Sequence, residues 1–159
     1  MRVRIISRNT GWGLSQDVAI LRSALVGISG KNVMVDYADW RAIPTGKADL
    51  NVFLELLNPA WYAFAERNVL VPNPEWFMPA WLPHLKALEA VWCKTHDATR
   101  IFAQHHPRTE YIGWTSRDCL DAKVPRERSL IHIAGDSVSK GTRHVIAAMG
   151  MLPEYHLTI

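Results

Sequence analysis

Short apolar runs alternate with helix-like segments along this chain, and that rhythm limits the fold more than any other feature. Arg2–Ser7, Asn32–Asp36, Leu50–Leu54, Asn68–Pro72, Ala90–Lys94 and Glu110–Trp114 each read as a strand. Between them, Gln16–Leu25 places Val18, Leu21 and Leu25 at helical spacing, with Gly27 suited to the helix end. Asn58-Pro59 is a good cap followed by proline at the first helical position, which predicts a helix over Pro59–Arg67. Pro79–Leu88 predicts another, and Thr95 caps a helix from His96 to Gln104. Strands joined to helices by short connections imply a parallel, doubly wound α/β sheet of Rossmann-like type. Runs such as VFLEL (Val52–Leu56) and AVWCK (Ala90–Lys94) are apolar enough to be covered on both faces.

The last thirty or so residues repeat the rhythm once. Ser129–Gly135 reads as a strand, Asp136–Thr142 as a turn opening a helix that runs to about Met151, and Leu157–Ile159 as a return strand. The turn suits a phosphate. Helix N-terminal amides attract an anion, Gly141 lets the backbone approach, and Lys140 adds charge. The competing account is an ordinary helix start capped by Ser139. It is weakened by a lysine at the wrong end of the helix dipole and by a glycine that costs helix stability. Ser137, Lys140, Gly141 and Thr142 are therefore the strongest candidate phosphate ligands.

In open α/β sheets ligands gather at the carboxyl ends of the strands. Thr10–Ser15, Asn73–Trp76, Thr95 with His96, and Thr115–Asp118 are expected there, lining one crevice. Gly11, Trp12 and Gly13 form part of a dinucleotide fingerprint without its third glycine, which a tight turn explains equally well. Glu75, between prolines and aromatics, is the candidate for proton transfer. It suits equally a bond to a ligand hydroxyl or a structural role on loop amides. Trp76, Phe77 and Trp81 read as lid or packing residues, and Asp17 as a residue answering the helix dipole.

Three segments together resemble a known group. The run from Ile131 to Ala148 (IHIAGDSVSKGTRHVIAA) resembles the start of the C-terminal lobe of two-lobe glycosyltransferases with the GT-B architecture. Val71–Phe77 and Tyr111–Asp118 resemble segments of one branch of that group. The resemblance implies a GT-B-type N-terminal lobe over residues 1–127 and an added βαβ unit over 128–159, docked on that lobe or exchanged with a partner chain. It implies a nucleotide-sugar or nucleotide diphosphate as ligand, its diphosphate held by Gly13 and Lys140; Asn73, Thr95, Thr115 and Ser116 are expected to line the crevice by the strand-end rule. The family's downstream acidic motif has no counterpart after Ile159. The expected function is that of a glycosyltransferase, truncated relative to the family, or of a nucleotide binder derived from one. Because two strands and one helix bury too little to stand alone, a homodimer completing the sheet is expected.

Composition trims the alternatives. A hydrophobic fraction of 48% over 159 residues supplies a core, yet no apolar run approaches the roughly 18–20 residues of a membrane span. The charged start, Met1–Ser7, lacks a signal-peptide core, so a cytoplasmic protein is expected. Cys93 and Cys119 then read as free thiols. The net charge of +3 fits a small anion but gives no basic track for nucleic acid. Seven histidines form no metal-ligand spacing: His105 and His106 are adjacent, His132 suits a core edge, and His144 suits solvent or the sheet. No metal and no cofactor beyond the nucleotide-sugar are expected. Arg117, Arg126 and Arg128 read as a solvated linker.

Overall fold

The computed structural model describes residues 1–8, 11, 13–29, 32–116, 118, 123, 127–133 and 140–159, residue 29 in its backbone alone. The chain divides into two compact units, Met1–Ser116 and Arg117–Ile159.

The first unit is a six-stranded sheet, parallel throughout, in the order β2-β1-β3-β4-β5-β6. Its strands are β1 (Arg2–Ser7), β2 (Met34–Asp39), β3 (Ala48–Leu54), β4 (Ala65–Val71), β5 (Ala90–Cys93) and β6 (Thr109–Tyr111). The order reverses beside β1: the chain steps one way to β2 and the other way from β3 to β6. Right-handed crossovers then place the connecting segments on opposite faces. Helix α1 (Gly13–Ser29) covers one face, with Leu14 and Leu21 on Val3, Ile5, Val52, Val69 and Val71. On the other face, Trp61, Trp81, Leu85, Ala98 and Phe102 close over Ile6, Phe53, Leu70 and Val91. Ala98 and Phe102 belong to α2 (His96–Phe102).

Two of the expected helices are present as 3-10 helices. Pro79–Ala87 contains Pro83, which removes a backbone donor from the interior and disfavours the α form. Pro59–Phe64 ends where β4 starts, three residues earlier than the predicted strand, because Ala65 already pairs with Ala48. Its carbonyls are claimed by a polar row in register across the sheet, Arg4 on β1, Asn51 on β3 and Asn68 on β4. Asn51 Nδ2 donates to Trp61 O at 2.9 Å, Asn68 Nδ2 to Tyr62 O at 3.1 Å and Arg4 Nη1 to Phe64 O at 3.4 Å. Arg4 is only 3% exposed. Its other amino group, Nη2, reaches Thr45 O and Gly46 O at 2.9 and 3.3 Å, and its guanidinium lies 5.1 Å from the Trp61 ring centre. Burial lowers its pKa, the Arg2 charge adds to that, and Asp36 opposes it.

Helix α1 begins three residues before the predicted start, and β6 ends at Tyr111, not Trp114, because Gly113 turns the chain out at φ +68°. Residues 115–128, read as a linker, lie largely outside the described positions.

The second unit pairs β7 (Ser129–Ile131) with β8 (His156–Thr158) in parallel, with α3 (Thr142–Met149) between them in sequence. The predicted strand, helix and return strand are all present, each shifted or shortened by a few residues; 134 and 135 lie outside the described residues. No residue of β7 or α3 is buried. Among the described residues no helix is long and apolar enough to cross a membrane.

Candidate functional site

The carboxyl ends of the six strands form the rim on which the sequence places its candidates. At the end of β1, Ser7 is buried; its hydroxyl donates to Leu54 O and its carbonyl accepts from the Tyr37 hydroxyl at 3.0 Å. Burial raises the Tyr37 pKa, and the charge of Asp39 adds to the shift. A shallow cavity of about 190 Å³ opens here between Arg8, Ser15, Val18 and Tyr37. Gly11 takes φ +72°, and its amide donates to Ser15 Oγ at 3.0 Å. That dihedral, not crowding, accounts for the glycine, since a Cβ at Gly11 would meet nothing within 4 Å. Gly13 opens α1, also in open space, and Trp12 lies outside the described residues.

Asp17 does not answer the helix dipole. With α1 starting at Gly13 it falls beyond the first turn, and its carboxylate bridges two other elements. Lys94 Nζ lies 2.5 Å from Asp17 Oδ2, and Trp114 Nε1 donates to Oδ1 at 2.9 Å. The Lys94 ammonium also sits 4.6 Å from the Trp114 ring centre. Lys94 carries no local signal in the sequence because its partner is distant in the chain.

The ends of β4 and β5 carry a pocket of about 350 Å³. Asn73, Glu75, Lys94, Thr95 and Asp97 supply its polar wall, and Pro72, Pro74, Ala98 and Ile101 the rest. Three sequence candidates, Asn73, Glu75 and Thr95, thus meet in one place. Glu75 sits in a one-turn 3-10 helix (Pro74–Trp76), exposed, with water free to reach its carboxylate. Thr95 Oγ1 accepts from Ala98 N at 3.1 Å, so the α2 cap accounts for it, while Asp97 already supplies negative charge to that helix start. Trp76 is 65% exposed, whereas Phe77 packs edge-on against Trp81 and Phe102. Thr115 does not join this pocket. It lines a larger apolar hollow of about 630 Å³ between α1 and the end of β6, with Trp92, Ile112 and Trp114, and donates to the carbonyl of the exposed Ser116.

The loop after β3 held no sequence candidate, yet it is the most unusual point of the rim. Glu55 has φ +71°, the only positive φ at a non-glycine among the described residues, and is 7% exposed. Glu55 falls one residue past the expected strand Leu50–Leu54, within the apolar run VFLEL, and no glycine marks the turn; the signal was absent.

In the second unit Gly141 itself caps α3, at φ +70° and without a side-chain bond, so the cap is not Ser139. Its carbonyl accepts from His144 N and Val145 N. Lys140 and His144 are exposed, and Thr142 Oγ1 lies 2.9 Å from His132 Nε2, so His132 binds the helix start. Ser137 lies outside the described residues.

His106 is buried: Arg108 N donates to Nδ1, which leaves Nε2 protonated and donating to Leu88 O at 3.2 Å. It stabilises a loop at the opposite, amino end of β5. Among the described residues no three His, Cys, Asp or Glu side chains converge as a metal site.

Comparison with protein-family models, curated proteins and solved structures finds no match for this chain. The rim therefore has to be read from its own chemistry. It offers backbone amides at the head of α1, an arginine beside them, and a pocket of amide, hydroxyl and carboxylate groups.

Proposed function

We propose that the chain is a glycosyltransferase-like protein that binds a nucleotide-sugar or nucleotide diphosphate, on a GT-B-type N-terminal lobe with part of a second lobe. The strand order carries this reading. The reversal beside β1 opens the sheet at the glycine loop Gly11–Gly13 and the head of α1, where such sheets hold phosphorylated ligands. The parallel β7–α3–β8 unit supports it, since Lys140, Gly141 and Thr142 stand at a helix start as the resemblance requires of a diphosphate-holding turn. In this reading the backbone amides at the head of α1 stabilise the diphosphate, with Glu75 as proton acceptor if a sugar is transferred.

The exposure of Glu75 favours a second reading, in which the nucleotide is bound and released intact. Calorimetry with UDP, GDP, UDP-glucose and GDP-mannose, with chromatography of the recovered ligand, separates the two. Conversion to free nucleotide means transfer or hydrolysis; tight binding with intact ligand means a binding protein. Loss of binding in Lys140→Ala supports the phosphate assignment, and no binding of any probe overturns both readings.

A dimer belongs to the same proposal. The second unit leaves Ile131 77% and Ile133 83% exposed, apolar surface that a second copy of the chain would cover.

A further inference from the structure

Two Asn-Pro corners leave the sheet, and they behave differently. Asn58-Pro59 follows β3 and Asn73-Pro74 follows β4; each asparagine stands at the head of a 3-10 helix. Asn58 caps its helix, accepting from Ala60 N through Oδ1 at 3.1 Å and donating from Nδ2 to Trp40 O. Asn73 makes no cap bond. Its Nδ2 donates instead to Glu55 Oε2 at 2.6 Å. Since a carboxylate only accepts, the atom facing it is the amide nitrogen, and the carboxamide has one orientation. Oδ1 then takes no bond among the described residues, on a residue that lines the 350 Å³ pocket.

Glu55 holds that orientation under strain. It is buried and left-handed at φ +71°, a conformation that glycine would adopt without strain. A forgone cap and a strained, buried carboxylate are both unfavourable to folding, and they meet in a single hydrogen bond. What that bond achieves is a fixed acceptor on the pocket wall. The wall's charges decide what it accepts. Glu75 and Asp97 are negative, and the ammonium of Lys94 is already answered by Asp17. Such a wall repels phosphate and suits groups that donate O–H.

We propose that Glu55 is a positioning residue that aims the Asn73 carboxamide at this pocket, and that the pocket takes the uncharged, hydroxyl-bearing glycosyl part of the ligand. This deepens the function proposed above and rests on it. It also moves Asn73 and Thr95 away from phosphate.

The test compares UDP-glucose, UDP-galactose and GDP-mannose with UDP and GDP by calorimetry, for wild type, Glu55→Gly, Glu55→Gln and Asn73→Ala. Glu55→Gly and Asn73→Ala should each weaken the preferred nucleotide-sugar by about tenfold or more, with the bare nucleotide unchanged. Glu55→Gln, which keeps an acceptor oxygen, should recover most of the loss. The melting temperature of Glu55→Gly should not fall, because the strain is relieved; a purely structural glutamate would lower it. Unchanged nucleotide-sugar affinity in Glu55→Gly, or an equal loss for the bare nucleotide, overturns the proposal. So does a wild type that binds no nucleotide-sugar more tightly than its nucleotide, although the nucleotide reading would then stand. If wild type binds no nucleotide at all, that reading fails and methyl glycosides become the probe: binding lost in Glu55→Gly sustains the positioning role, and no binding overturns it.

Discussion

Lys94 and Asp17, 77 residues apart in sequence, meet at 2.5 Å and tie the end of β5 to the second turn of α1. Their side chains are only 13% and 20% exposed, so the pair is shielded from solvent and salt more than a surface bridge. Asp17→Asn should destabilise the first unit by about 2 kcal/mol, chiefly by leaving Lys94 unpaired. Urea unfolding measures this, and Lys94→Met in the same background should restore part of the loss.

Arg4 should tolerate no replacement. Arg4→Met strips donors from the carbonyls of Thr45, Gly46 and Phe64 together, a loss of about 3 kcal/mol or more. Arg4→Lys should recover less than half of this, because an ammonium cannot span three acceptors and cover the Trp61 ring as a planar guanidinium does. Denaturant midpoints of the two variants give the comparison.

Alkali should act through Tyr62. Burial pushes its phenol up to about 12 from an ordinary value of 10.0. Between those values the unfolded chain loses the proton and the folded chain keeps it, so stability is constant below pH 10 and falls as pH rises toward 12. Tyr62→Phe should flatten that part of the pH profile, followed by circular dichroism alongside tyrosinate absorbance.

Cys93 is a buried free thiol. Burial raises its pKa, outweighing a hydrogen bond from Thr99. Iodoacetamide at neutral pH should modify the Cys93 peptide at least about tenfold more slowly in the native protein than in urea. Mass spectrometry of the digested protein reads the difference.

If a second copy covers the exposed isoleucines, Ile131→Asp should turn a dimer into a monomer without unfolding the first unit. Light scattering after size-exclusion chromatography decides, and a wild type monomeric at all concentrations contradicts the dimer.

The parallel sheet was legible because its strands are buried on both faces and so lack polar alternation: Val52, Phe53 and Leu54 are all fully buried. Helix type was less legible. Pro59 and Pro79 mark helix starts correctly, but what keeps Pro59–Phe64 from becoming α is a set of donors on β1, β3 and β4 that no local window contains. The same holds for the site. Asn73, Glu75 and Thr95 stand next to prolines and caps that announce strand ends, and the structure gathers them in one pocket. Glu55 and Lys94 were invisible for a different reason. Each looks like the polar end of an apolar run, and its meaning comes from a partner on another element, Asn73 or Asp17.

The position of β1 inside the sheet, between β2 and β3, bears on how the chain is made. Synthesis delivers this strand well before its inner neighbour β3 and the acceptors of Arg4, which come more than forty residues later. A nascent chain that has reached β2 carries a guanidinium destined for the interior with nothing there to receive it. It can form a β1–α1–β2 element, whose contacts are local, but that element has no reason to bury Arg4. The sealing of β1 around Arg4 thus waits for Phe64 to emerge, so this strand closes only after partners synthesised later than itself.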